Sequence, residues 1–235
     1  MNKDRCRTRR QPRVIIVRVP NAKALYPRHT KPEVVRRVFR IGLKVAAVIA
    51  VIWLGLSLWV DMDGPARTWN VGEEGWTRSA LIVYDPDPIY DLDRQLCQAF
   101  AEGLAQQGIR STVATVAAAE EKELAPPDLF VLCANTYNWR PDRSIVHYVE
   151  SAASLKGASV VALTLGSGST EAAQRAFEER IRAVGARIIA SRSSWLMRPN
   201  DEARMEEDNV AVAIDMTRRW AAELDVPERS GGPTQ

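Results

Sequence analysis

Histidine and cysteine are scarce in this chain, and their scarcity removes several kinds of chemistry. Two histidines, His29 and His147, are too few for a histidine-based zinc centre and leave a Ser-His-Asp triad little to build on. His147 falls in a helix-patterned stretch and reads as structural or solvated. Three cysteines, Cys6, Cys97 and Cys133, fit neither a disulfide framework nor a metal-ligand spacing. Cys97 and Cys133 are expected as buried free thiols, which an oxidising compartment would be needed to join. Acidic residues are nearly absent from positions 1–44, where only Asp4 and Glu33 stand against fourteen Lys/Arg. The remainder holds eighteen basic and twenty-seven acidic residues, so the net charge of +3 conceals a basic arm joined to an acidic domain.

Charge disappears from residues 45–60, VAAVIAVIWLGLSLWV. With Ile41, Gly42, Leu43 and Lys44 the run reaches twenty residues, and at about 1.5 Å per residue that crosses a hydrocarbon layer of ~30 Å. Lys44 at its start can lay its stem along lipid and raise its ammonium to the interface. Trp59 stands at the far edge, where an interfacial aromatic belongs. Arg36, Arg37, Arg40 and Lys44 precede the span, and Asp61 and Asp63 follow it. The inside-positive asymmetry therefore places the N-terminus in the cytoplasm and the folded domain across the cell membrane. No small-x-small site follows Val60, so the segment reads as a single-pass signal-anchor. Arg36-Arg37-Val38-Phe39-Arg40-Ile41 also resembles the twin-arginine export signal, although Val35 departs from its usual Ser/Thr.

The expected organisation is a basic arm at 1–40, a transmembrane helix at 41–60, a linker at 61–79, a domain at 80–226 and a disordered tail at 227–235. Within the arm, Pro12-Arg13-Val14-Ile15-Ile16-Val17-Arg18-Val19-Pro20 is a β-prone run bracketed by prolines. It is suited to a partner's sheet edge or to anionic lipid, and equally reads as a basic tail. With a membrane span beside it, lipid or a membrane partner is expected rather than nucleic acid.

From residue 80 a regular alternation begins. Apolar strands are expected at 80–84, 112–116, 129–133, 159–163 and 187–190, the second at a sheet edge. Between them Leu92, Leu96, Phe100 and Leu104 recur at helical spacing, residues 144–154 form a helix, and Ala173, Phe177, Ile181 and Val184 mark another. Val210, Ala213, Thr217, Trp220 and Leu224 line the last. Five short strands alternating with amphipathic helices make an α/β fold: a five-stranded parallel sheet, doubly wound, behind one transmembrane helix. Ligand chemistry then belongs at the carboxyl ends of the strands, in residues 85–91, 134–143 and 164–170.

At residues 80–225 the order and spacing resemble the flavodoxin family. Leu132-Cys133-Ala134-Asn135-Thr136-Tyr137-Asn138-Trp139-Arg140-Pro141 is similar to that family's loop carrying an aromatic against the flavin ring. Thr164-Leu165-Gly166-Ser167-Gly168-Ser169-Thr170 is similar to the loop whose backbone meets the ring's edge, and Lys156-Gly157 matches family habit. The resemblance implies FMN as cofactor, held by Thr136, Tyr137, Asn138, Trp139 and Arg140 and by Leu165, Gly166, Ser167, Gly168 and Ser169. It also implies electron transfer with a membrane redox protein or complex. Physically, an aromatic face suits a flat ring, and glycines let backbone N–H groups approach its polar edge.

The phosphate loop departs from that pattern. Asp85-Pro86-Asp87-Pro88-Ile89-Tyr90-Asp91 has two prolines without N–H donors and three carboxylates that repel a dianionic phosphate. Asp91 is expected to cap the following helix. A cofactor-free accessory or structural subunit of a membrane complex is thus the alternative. A remote third reading treats Asp85 and Asp87 as the Asp-x-Asp pair of a Mg-dependent phosphatase resembling the haloacid-dehalogenase type, with Thr164 as a second motif. That pattern lacks a lysine and a downstream Asp pair.

Overall fold

The computed structural model describes residues 32–60, 64–121 and 126–227. The basic arm to residue 31, with Cys6, His29 and the run 12–20, lies outside the described residues, as do Asp61, Asp63 and the tail from 228. The chain divides into two units, residues 1–50 and 51–235.

Helix α1 (Pro32–Val60) opens on a proline, which a first helical turn accommodates because an N–H at that position would have no intrahelical partner. Its stretch Val35–Trp59 is 25 residues long and apolar enough to cross a membrane. The described apolar side chains along it are exposed, with none of that stretch packed into a protein core. The helix begins nine residues before the expected span, so Arg36, Arg37 and Arg40 of the basic arm are helical.

The second unit runs β1 (Thr68–Val71), β2 (Arg78–Tyr84), α2 (Leu92–Ala105), β3 (Ile109–Thr115), α3 (Val116–Glu121), β4 (Leu129–Tyr137), β5 (Arg140–Pro141), α4 (Arg143–Ser151), β6 (Ser159–Gly166), α5 (Glu171–Ala183), β7 (Arg187–Trp195) and α6 (Asn209–Glu223). The main sheet order is β1-β3-β2-β4-β6-β7, with β5 on β4. All pairs from β3 to β7 are parallel. Counting only the parallel strands, the order is 2-1-3-4-5, the flavodoxin-like doubly wound arrangement.

The sheet therefore has seven strands among the described residues, not five. The two additions are antiparallel. Strand β1 comes from the expected linker and covers β3, which is consequently not an edge. Its Trp69 Nε1–H donates to Gln98 Oε1 at 2.7 Å, and its ring meets Tyr84 edge-on with centroids 6.2 Å apart. Strand β7 runs five residues beyond the expected end, because an edge strand tolerates the polar run Ser191-Arg192-Ser193-Ser194. The expected helix 144–154 ends at Ser151, and a 3₁₀ turn, Ala153–Leu155, follows.

Side-chain alternation explains the layering. Along β2, Ile82 and Tyr84 join Leu96, Phe100 and Leu104 of α2 and Ala213 of α6 on one face. Leu81 and Val83 join Ile145 and Val149 of α4 and Phe177 and Ile181 of α5 on the other. Burying each large side chain contributes about 1.5–3 kcal/mol, which binds both helix layers to one sheet. Cys97 and Cys133 are buried free thiols in the α2-side core.

Candidate functional site

The parallel strands β2, β4 and β6 end on the same side, and the segments that leave them enclose one cavity of about 180 Å³. It lies where crossovers depart in opposite directions from neighbouring β2 and β4, the topological switch point of such sheets. All three loops expected to carry chemistry contribute: Asp87, Ile89 and Tyr90 from the first, Thr136 and Tyr137 from the second, Leu165, Gly166 and Ser167 from the third. Leu92, Asp93, Asn135 and Leu196 complete the wall and were not among the expected site residues.

The remaining expected residues lie elsewhere. Asn138 and Trp139 form the two-residue turn between β4 and β5, at φ 51° and 61°. A tight hairpin needs two left-handed residues there, a conformation unusual for a bulky side chain. Trp139 is 66% exposed at the tip and takes no part in the cavity wall, so of the two aromatics only Tyr137 lines the cavity. Arg140 pairs with Tyr137 across the hairpin. Gly168 and Ser169 lie beyond the cavity, and the Ser169 hydroxyl donates to Glu171 Oε2 at 3.4 Å. Gly166 has a packing reason: a Cβ there would stand 2.8 Å from Thr170 Cγ2 and 3.1 Å from Thr136 Cβ, forcing the second and third loops apart.

A network of carboxylates, half-buried at Asp87 and buried at Asp93 and Asp142, holds the first two loops together. Asp87 Oδ1 accepts the N–H groups of Ile89 (2.7 Å) and Tyr90 (2.9 Å), and its Oδ2 accepts the Tyr137 hydroxyl at 2.8 Å. The Asp87 N–H donates in turn to Asp93 Oδ2 at 2.6 Å. Asn135 bridges the strands: its Nδ2 donates to the Asp85 carbonyl at 3.0 Å and to Asp93 Oδ2 at 3.1 Å. Behind it, Asp142 caps α4 by accepting the Ile145 N–H at 2.8 Å, and its second oxygen accepts the Asn135 N–H at 2.7 Å. Asp91 occupies the cap position of α2 but makes no capping bond; its carboxylate is engaged by the Arg94 guanidinium. The expected cap is thus replaced by an ion pair with an exposed arginine.

Burial sets the acidities. Asp93 is pushed up to about 6, chiefly by loss of solvent, against the opposing effect of its bonds from Asp87 N–H and Asn135. Asp142 is raised well above the carboxylate range for the same reason. Burial, then the bond to Asp87, raises the Tyr137 phenol, which keeps its proton as a donor. Buried Thr136 Oγ1 lacks a hydrogen-bond partner.

The Asp93 shift has a measurable consequence. An acid raised from about 3.8 to about 6 holds its proton longer in the folded state, so its contribution is most favourable below pH ~4 and is lost as pH rises through 6. At one unit per ~1.4 kcal/mol, the loss approaches about 3 kcal/mol. Urea unfolding of wild type and Asp93→Asn should show the difference between them changing by that order from pH 4 to 7.5, in favour of the variant. A pH-independent difference would contradict a buried, protonated Asp93.

No protein-family model matches the chain, and no curated protein matches it in sequence. Solved structures that resemble it are flavodoxin-like. The two-electron reduced flavodoxin of Megasphaera elsdenii is 16% identical, with 60% of this chain and 98% of that one covered and a TM-score of 0.46. The flavodoxin, WrbA-like protein of Agrobacterium tumefaciens is 12% identical, with 63% and 95% covered and a TM-score of 0.46. The NAD(P)H:quinone oxidoreductase of Methanothermobacter marburgensis is 13% identical, with 63% and 99% covered and a TM-score of 0.46. At that distance the likeness carries no activity across, and the flavodoxin-like fold of residues 68–226 rests on strand order and parallel connections.

Proposed function

We propose that this chain is a membrane-anchored redox module whose carboxyl-edge cavity takes the flat ring of a flavin and exchanges electrons with a membrane-bound partner. The observation that carries this reading is the meeting of Tyr137, the partnerless Thr136 hydroxyl and the Leu165-Gly166-Ser167 backbone in one cavity at the switch point. An aromatic wall, an apolar floor from Leu92 and Leu196, and a few polar groups suit a conjugated ring. Ile89, Tyr90 and Trp139, on segments leaving β2 and β4, and Met197, just beyond β7, stand exposed and offer a partner an apolar approach. The inside-positive charge of the arm supports a cytoplasmic N-terminus with the domain on the opposite side. Protease added to spheroplasts should then digest the domain, and full protection would reverse that orientation.

The phosphate end of FMN does not fit the first loop. Pro86 and Pro88 offer no N–H, and the Ile89 and Tyr90 amides are already bonded to a carboxylate. This favours a second reading, a cofactor-free accessory subunit of a membrane complex. The phosphatase reading has less support: Asp87 is committed to loop amides and Tyr137. Among the described residues no group of three or more His, Cys, Asp or Glu is placed to hold a metal.

Absorption of the detergent-purified full-length protein, alone and after adding flavin, separates the first two. Flavin bands that survive gel filtration support the redox module. A colourless protein that leaves flavin fluorescence unquenched supports the accessory subunit.

A further inference from the structure

The first loop carries a carboxylate where a phosphate-binding turn would carry its ligand. Asp87 folds back so that one oxygen accepts two successive amides, Ile89 and Tyr90, and the other accepts the Tyr137 hydroxyl. Two further donors nearby are engaged in the same way: the Asp87 amide by Asp93, and the Arg94 guanidinium by Asp91. Concave backbone amides of this kind are the standard means of binding an anion. Here the protein supplies the anion itself.

Resting on the proposed redox reading of this cavity, we propose that the site is selective for a flavin without phosphate, taking riboflavin-type ligands and rejecting FMN. A ribityl chain ends in hydroxyl donors, which carboxylates of the wall accept. A phosphate brings only acceptors and negative charge, and meets two prolines, occupied amides and the Asp87 and Asp93 carboxyls. The aromatic and glycine-containing loops are retained while the phosphate cradle is closed by a side chain of the loop itself.

The test is fluorescence-quenching titration of the detergent-solubilised full chain with lumiflavin, riboflavin and FMN at pH 7.5. Riboflavin is expected to bind about tenfold or more tightly than FMN at low salt. Raising the salt should narrow the gap from the FMN side, since like-charge repulsion is screened while riboflavin is neutral. Asp87→Ser, checked by circular dichroism for an intact fold, frees both amides and adds a hydroxyl; because it also releases the Tyr137 hydroxyl, the readout is the ratio of FMN to riboflavin affinity, which should rise. The wild-type salt series stands independently if that variant fails to fold. FMN binding as tightly as riboflavin to wild type would overturn the selectivity and leave the redox module standing. If none of the three flavins binds, both fall together.

Discussion

Gly103→Val should destabilise the domain by about 3–5 kcal/mol, and even Gly103→Ala should cost about 1–3 kcal/mol. The second figure is the informative one. In an exposed helix interior, alanine is better than glycine by about 1 kcal/mol. Gly103 lies in α2 against α6, and a Cβ there would fall on the carbonyl oxygen of Arg218, 2.6 Å from Ala221 Cβ and 3.0 Å from the Ala222 nitrogen. Two of those three atoms are backbone, so no rotamer change relieves the contact. Nor can α6 withdraw freely. Phe100 meets Trp220 edge-on at 5.5 Å, and Gln107 Nε2 donates to the Ala221 carbonyl at 2.7 Å and to that of Leu224 at 3.0 Å. The Arg218 guanidinium reaches Glu102 Oε2 at 2.7 Å. Chemical denaturation followed by far-ultraviolet circular dichroism measures the change. A stabilised Gly103→Ala would mean that α6 does not seat against α2 in this way.

The fold was legible where burial imposes a period. Leu96, Phe100 and Leu104 are fully buried at their expected spacing, as are Phe177 and Ile181. Such positions answer to one physical demand, an apolar stripe against a sheet. Strand β1 answers to a different demand. Four residues within a Gly-containing segment become a strand only because β3 has an unpaired edge beside them, and that is a tertiary fact without a local signature. Similarly, Ser191-Arg192-Ser193-Ser194 carries no apolar run, yet its backbone pairs with β6.

The site divides along the same line. Its three loops follow from strand polarity alone, since the carboxyl ends of parallel strands gather on one side. Which residues within a loop reach the cavity depends on backbone detail. Tyr137 and Trp139 look equivalent as aromatics two positions apart. A hairpin turn formed by Asn138 and Trp139 leaves Tyr137 on the wall and Trp139 at the tip. Asp93 reads as an acid in a first helical turn, favoured by the helix dipole, and nothing local announces its burial. The acidic character of residues 85–91 was plain, but not that Asp87 bonds its own loop. Asp142 was the one missed network residue with a readable signal, an aspartate two positions before a helix-patterned stretch.

Asp142 is also where fold and site depend most on one side chain, and Asp142→Ala should cost about 2–4 kcal/mol. The aspartate is 1% exposed and answers two backbone donors from different elements, Ile145 N–H at the start of α4 and Asn135 N–H in β4. Losing the cap costs about 1 kcal/mol. Leaving a buried amide unsatisfied costs a further 1–3 kcal/mol or so, because water cannot easily replace the carboxyl. Since burial holds the group well above the usual carboxylate range, its favourable contribution is complete at low pH and declines as pH rises past ~4, in the same direction as Asp93. Asp142→Asn keeps one acceptor oxygen and should recover part of the loss, most visibly near neutral pH where the carboxylate is penalised. The site should respond as well. Asn135 holds Asp85 and Asp93 through one amide group, so freeing its backbone loosens the cavity wall and, on the proposed flavin reading, weakens flavin quenching along with stability. An Asp142→Ala protein that unfolds at the wild-type urea midpoint would show that neither amide depends on this carboxyl.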